Sequence, residues 1–372
     1  MPRVLGIVTA ASNRYKVEGL QEHRPIGSFS FAGRFRVVDF PVSNMSNSGV
    51  IDHIVVYING NPRSLVEHLG TGRTYNLNSK REKLQLLFHD EANTNEMYNT
   101  DIASFMDNLP TIERSHCEYV VIAPSNMVYR QDFGKLLKQH IDSEADITLL
   151  YHRVDNAKSC FLGCNALALN RQKGVQNIET NMGNVDARNI FMDTYVMKKE
   201  LFLELVLKAH RISSMYHLSR IVSLACDELD VRGVQHKGYF AAITDLKSYY
   251  DANLSLINPE NARSLFDGKW PIYTKTTDAC PTEYFDGAAV RNSLVSNGCT
   301  IEGTVENSVI GRNVTIKPGA VVKNSVVLAN SVLGENVHIT NQVVDKWATI
   351  THAKEIAATP EKPGYIRRDD VL

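Results

Sequence analysis

Residues able to do chemistry are thinly spread along this chain, and most of them follow short apolar runs. Thr9-Ala10-Ala11-Ser12-Asn13-Arg14-Tyr15-Lys16 comes directly after Val4–Val8 and offers hydroxyls, an amide and two cations. Ser125-Asn126-Met127-Val128-Tyr129 follows Tyr119–Ala123, and Ala241-Ala242-Ile243-Thr244-Asp245 follows Gly238-Tyr239-Phe240. A loop after a strand cradles phosphate when glycines let its backbone N–H groups approach, and paired carboxylates at strand ends hold a hard dication. None of residues 9–16 is glycine, and of these three segments only the last carries a carboxylate.

Other chemistries are excluded early. The twelve histidines include no pair spaced as metal ligands on a helix. Cys160-x-x-x-Cys164 is the one close pair among six cysteines, with no second pair or histidine cluster to complete a zinc site. Free thiols in a reducing compartment are the expectation. Forty basic against forty-one acidic residues give a net charge of −1, which argues against nucleic-acid binding by bulk charge. No apolar run is long enough to span a membrane, and Met1-Pro2-Arg3-Val4 leads straight into a strand, so a cytoplasmic location is expected.

The elements that must position these loops alternate. Val4–Val8, Ile51–Ile58, Tyr119–Ala123 and Ile147–Tyr151 read as buried strands, and helices are expected over 62–69 and after Asp132. Such alternation predicts an α/β domain with a doubly wound, mainly parallel sheet, in which ligands bind beyond the carboxyl ends of the strands. Ser43, Asn44 and Ser48 are expected to cap the helix after Asp39.

The last third of the chain steps in sixes. Ile310, Ile316, Val322 and Leu328 are six apart, Leu333 and Ile339 resume after a slip, and Asn-Ser-aliphatic recurs at 292, 307, 324 and 330. Three such steps return to the same face, so a coil of about eighteen residues is expected and the region reads as a parallel β-helix. The expected organisation is an α/β domain over 1–257, a punctuated linker over 258–284, and a β-helix over 285–372 ending in a solvated tail with Arg367-Arg368.

A doubly wound sheet followed by a left-handed β-helix resembles the sugar-nucleotide pyrophosphorylases, and in particular the glucose-1-phosphate adenylyltransferases. The resemblance covers nearly the whole chain. Phe31-Ala32-Gly33-Arg34-Phe35-Arg36-Val37-Val38-Asp39-Phe40-Pro41-Val42-Ser43-Asn44, Asn47-Ser48-Gly49-Val50 and His68-Leu69-Gly70-Thr71-Gly72 carry it. So do Tyr129-Arg130-Gln131-Asp132-Phe133, Ser248-Tyr249-Tyr250-Asp251-Ala252-Asn253 and Val344-Asp345-Lys346. The chemistry implied is attack of glucose 1-phosphate on ATP, giving ADP-glucose and pyrophosphate with magnesium.

Against that family the departures fall in the reactive loops. Ala10, Ala11 and Asn13 stand where the family has phosphate-loop glycines, and Tyr15 stands at its arginine, with Arg14 the nearest substitute. Asn126 and Ala242 occupy the positions of the two magnesium aspartates, so two negative charges become none; Asp245, three residues on, is the only rescue at hand. The segment between Gly174 and Asn189, where the family's glutamate-lysine-proline motif belongs, has Arg188 as its only cation. Losing one preorganised electrostatic contact costs about 10²–10³ in rate, and here several go together.

The pattern resembles the GlgD-type regulatory subunits. That resemblance implies a chain with no catalytic residues and no metal or cofactor of its own, in a mixed tetramer with a catalytic subunit that uses ATP and Mg2+. A low-activity enzyme rebuilt around Asp245 and Arg14, or a sensor of nucleotide or sugar phosphate, are the alternatives. The resemblance also places Arg34 and Arg36 toward an effector site between the domains. There they and Lys346 are candidates to grip a phosphate, or else surface or interface salt bridges.

Overall fold

The computed structural model describes residues 2–12, 14–77, 83–88, 100–213 and 215–372. Its first part is built on strands β1 (Val4–Thr9), β2 (Ser30–Phe31), β3 (Phe35–Arg36), β4 (Ile51–Ile58), β5 (Lys83–Phe88) and β6 (Tyr119–Pro124). These continue with β7 (Met127–Tyr129), β8 (Ile147–Val154), β9 (Asn165–Leu169), β10 (Val175–Thr180), β11 (Arg188–Lys198), β12 (Val231–Gln235) and β13 (Phe240–Ala242). The main sheet runs β10-β9-β11-β6-β1-β4-β5, with β8 beside β11 and β12 beside β8. Its centre is parallel: β1 lies between β4 and β6. β11 then enters antiparallel to both β6 and β8. Val4–Val8 is buried along its whole length because helices cover both faces of the sheet, which is why the run shows no alternation.

Asp132 caps the helix Phe133–Ser143 by accepting from the Lys135 N–H, as its position predicts. Ser43 and Asn44 do other work than the expected capping. The Ser43 hydroxyl accepts from the Tyr273 N–H at 2.9 Å, and Asn44 accepts from the Trp270 indole at 3.0 Å while donating to the Tyr129 carbonyl. Both sit within the helix Asp39–Asn47, where the backbone is already paired, so their side chains are free to fasten it to the linker. Only Ser48 bonds locally, to the Met45 carbonyl. The linker itself holds a short helix, Pro259–Leu265, capped by Asn258.

The second part is a left-handed parallel β-helix of three five-stranded sheets. Val309 pairs with Val326 and Val326 with Val343, so these coils take seventeen residues rather than eighteen, and the coil before them, from Leu294 to Val309, takes fifteen. The difference is a five-residue step at one corner, and it corrects one position in the inner column. Val327, not Leu328, fills the tube, while Leu328 turns outward into the core shared with the first domain. At that corner Asn307, Asn324 and Asn341 take positive φ, a conformation asparagine tolerates better than most residues. Beside them Ser308 accepts from the Ser325 N–H and Ser325 from the Gln342 N–H, which satisfies the buried corner coil by coil.

The tail keeps Arg367 and Arg368 exposed, as expected, but part of it is built into the β-helix. Gly364–Ile366 pairs with Gln342–Val344, and the carbonyl of Leu372 accepts from the Thr351 N–H at 2.6 Å. Ile366 is buried in the end of the tube and half-buried Tyr365 packs on the core shared with the first domain, so the tail closes the edge of the last coil. The two parts share one core: Phe29, Phe31, Phe40, Tyr249 and Tyr250 pack with Val309, Val326, Leu328 and Val343.

Candidate functional site

The cleft lies beyond the carboxyl ends of β1, β4 and β6. The loop after β1 shows no glycine-like turn among its described residues. Neither Ala10 nor Ala11 takes a positive φ, and the next helical turn does not start until Leu20. Among the described residues no helix follows the loop directly, as one would after a phosphate loop. Tyr15 is buried in the core shared by the two domains, where desolvation holds its phenol well above the usual range. Arg14 stacks over its ring, 5.3 Å from the centroid. Asn13 lies outside the described residues.

Asn126 and Ala242 do come together. β13 pairs antiparallel with β7, setting Ala242 against Met127, next to Asn126. The Asn126 amide donates to the Ile243 carbonyl at 3.1 Å, and the Ile243 N–H donates back to the Asn126 carbonyl at 2.9 Å. The side chain is thus part of the turn, and its neighbour is a methyl. Neither fits a hard dication, which takes anionic oxygens. Asp245 offers no replacement: it caps the helix Leu246–Ser255 in a reciprocal box with Ser248. Arg188 pairs with Glu179 at 3.1 Å.

Deeper in the cleft is a recess that the sequence reading missed. It has a volume of about 60 Å³ and is lined by Arg14, Asp101, Asn126, Asn165, Asp193 and His217 among others. Asp193 sits at a bulge in β11 with φ 42°, and accepts from the Asn165 amide at 2.9 Å. Burial raises its carboxyl pKa, against the pull of Arg14. His217, 3.2 Å from Asp101, has its pKa raised by that carboxylate. An acid interrupting the apolar stretch Ile190–Met197 was the available signal. The Tyr57 hydroxyl also faces this cleft, buried and without a partner among the described residues. The wider cleft, about 1170 Å³, runs from Ala10 and Ala11 past Lys16 and Arg24 to Tyr365 and Arg367 of the tail.

The three cations proposed as anion ligands separate into two places. Arg36 and Lys346 lie at the domain seam. Arg36 donates to the Ser28 carbonyl at 2.9 Å, and its backbone N–H donates to Asp39, which also holds His68 and Tyr75 at 2.6 Å each. Beside them Arg24 and Asp345 form a buried ion pair, and the Tyr365 hydroxyl donates to the same carboxylate at 2.8 Å. Burial, with Arg36 and Arg24 close by, pushes the Lys346 amine down to about 7. Burial also lowers Arg36. Arg34 is elsewhere, at the tip of the β2–β3 hairpin, near Arg312 of the β-helix. Arg24 and Asp345 are far apart in sequence, and no local spacing announces their pairing.

A family model described as nucleotidyl transferase matches residues 19–258, and one described as the GlmU-like C-terminal hexapeptide matches residues 281–364. The glycogen biosynthesis protein GlgD of Bacillus subtilis is 28% identical over 368 residues, covering 98% of this chain and 96% of that protein. Glucose-1-phosphate adenylyltransferases are similar as well. That of Bacillus mycoides is 25% identical, covering 97% of this chain and 96% of its own. That of Fervidobacterium nodosum is 27% identical, covering 92% and 83%. The nucleotidyl transferase match alone takes in well over half of the sequence, and the chain belongs to that family.

Proposed function

We propose that this chain is a non-catalytic or barely catalytic companion of glucose-1-phosphate adenylyltransferase, raising the turnover of a catalytic subunit in bacterial glycogen biosynthesis. The observation that carries the reading is the pair Asn126 and Ala242: an amide engaged with the Ile243 carbonyl and a methyl stand where the chemistry needs two carboxylates. The loop after β1 supports it, since Tyr15 is spent on packing. The rebuilt-enzyme alternative is disfavoured because Asp245 is occupied as a helix cap.

The test is pyrophosphate release from ATP, magnesium and glucose 1-phosphate by the purified chain, by a catalytic subunit from the same genome, and by the two co-expressed. The expected outcome is no turnover by this chain alone and a mixed complex faster than the catalytic subunit. Ordinary turnover by this chain alone, or a mixture no faster than its catalytic member, refutes the reading.

Arg36 and Lys346 fit a regulatory role as an anion grip. Their lowered proton affinities mark positive charge that a phosphate would relieve. Lys346→Gln in the mixed complex is expected to blunt its response to phosphate or sugar phosphates, and an unchanged response removes Lys346 from this role.

A further inference from the structure

Along one corner of the β-helix Asn292, Asn307, Asn324 and Asn341 form a column. Their backbones are nearly alike, with φ between 44° and 55°. They precede Leu294–Val295, Val309–Ile310, Val326–Val327 and Gln342–Val344, which pair coil on coil. The asparagines therefore repeat at the spacing of neighbouring strands, about 4.8 Å. The helix Leu246–Ser255 and the turn after it face this column. Between them lies an open groove of about 460 Å³, within the usual range for a small-molecule site.

The column is tied at both ends and free in the middle. Asn292 donates from its amide to the Asn307 side-chain oxygen at 2.6 Å. At the other end Asn341 donates to the Ala358 carbonyl at 2.7 Å. The Tyr250 hydroxyl donates to the Asn324 backbone carbonyl at 2.6 Å and, less closely, to the Asn341 side-chain oxygen at 3.2 Å. The NH2 of Asn307 and the whole side-chain amide of Asn324 are left with no partner among the described residues. Both residues line the groove, so two adjacent coils present donors and an acceptor to whatever enters it.

The opposite wall is apolar, built from Leu254, Ile257 and Pro259 with Pro360 of the tail. Asp251 is the one charged side chain among the described residues of the groove, and it is paired with Lys247. No free cation waits there for a phosphate, and no free acid for an amine. The groove suits an uncharged molecule with hydroxyls along one edge and C–H bonds on its face, which is the make-up of a pyranose ring. Hydroxyls donate and accept as the amides do, and the C–H face is what an aliphatic wall removes from water.

We propose that this groove binds a neutral oligosaccharide. Sugar hydroxyls bond to the Asn307 and Asn324 amides, and the ring faces rest on Ile257, Pro259 and Pro360. The inference does not rest on the companion-subunit reading, and it uses no residue of the old cleft or of the Arg36–Lys346 cluster.

The test is calorimetric titration of the full chain with maltotriose, cellotriose and glucose. At least one trisaccharide is expected to bind saturably, about fivefold or more tighter than glucose, and with an affinity that salt does not change. Competition by glycogen would mark the occupant as the end of a polymer, and its absence as a free oligosaccharide. Asn307→Gly and Asn324→Gly remove the amide while accepting the positive φ, and each should weaken binding by about fivefold or more. Asn324→Asp keeps the shape and trades the NH2 for an acceptor. It should weaken binding as well, which guards against a folding defect in the glycine variants. Asn330→Gly makes the same change at another corner, where φ is 63°, and should leave the affinity unaltered. Lack of saturable binding by both trisaccharides overturns the proposal. So does an affinity indifferent to Asn307→Gly and to both Asn324 variants, or one lost equally with Asn330→Gly.

Discussion

The Asn126–Ala242 turn and the seam between the domains bury polar groups in opposite ways. Around the Asn126–Ala242 turn burial goes with neutrality: neither residue carries charge, and burial lowers the proton affinity of His152 and His236 behind it, while Arg14, Asp101, Asp193 and His217 gather in the recess to one side. At the seam, burial goes with charge. Arg24 and Asp345 are paired with almost no exposure, and Lys346 and Arg36 crowd beside them. A site that must gather a metal and a triphosphate needs charge at the turn itself, and in this molecule the fully buried Arg24–Asp345 ion pair lies between the domains instead. The contrast can be attacked from either side.

The largest effect is expected at the seam. Asp345→Ala would leave Arg24 buried without its counter-ion, with Arg24 Nε already lacking a partner and the Tyr365 hydroxyl newly stranded. Breaking a buried pair from one side costs about 3–5 kcal/mol, measurable as a lower midpoint in chemical denaturation. Replacing both partners, Arg24→Met with Asp345→Leu, should recover most of that loss, since the penalty comes from the unpaired charge. A single variant as stable as the parent would mean that the seam charges are solvated and the contrast is false.

Gly33 tests the same seam through its packing. Gly33→Ala forces a Cβ against the Ile310 backbone carbonyl, which cannot turn aside as a side chain would. Gly49 makes a control, with φ 67° and nothing within 4 Å of an added Cβ. Gly49→Ala should cost only the backbone strain, about 1 kcal/mol, and Gly33→Ala about 1–3 kcal/mol more. Equal losses would show that the hairpin does not press on the β-helix.

Much of this architecture was open to sequence reading, because period is a local property. The strands Val4–Val8 and Ile51–Ile58, the Asp132 cap and the six-residue stepping each depend on residues close in the chain. The errors fall where a local rule meets a distant partner. Leu328 fits the six-step but is drawn outward by the aromatic residues of the first domain, and the step shortens to Val327. The polar tail composition suggested solvent, yet the open edge of the last coil needed hydrogen bonds that the tail supplies. In the site, the positions of Asn126 and Ala242 were legible by alignment to a motif. The partner of Arg24 was not, because its environment is made by folding one domain against the other.

The smallest effect is expected behind the uncharged turn, and it is read through pH. His236 packs against Tyr129, which pairs with Phe240 on the strand that ends at Ala242, and its ring nitrogens lie near Gln131 and the Tyr239 carbonyl. Burial first, then His152 and Arg130, push its imidazole down to about 4, from an ordinary value of 6.5. The folded state therefore binds this proton less readily than the unfolded chain does. The stabilisation is fully present above pH 6.5 and is lost as the pH falls through 6.5 toward 4. Between pH 7 and 5 the loss from this one ring is about 1–2 kcal/mol. His140, held down to about 4 by its own burial, adds to the same trend in every variant that keeps it. His236→Gln preserves a polar side chain and removes the titration, so its stability should fall less steeply over that interval while the His140 share remains. If parent and variant lose stability in parallel, His236 is charged in the fold, and the surroundings of the turn do not exclude charge as the seam comparison requires.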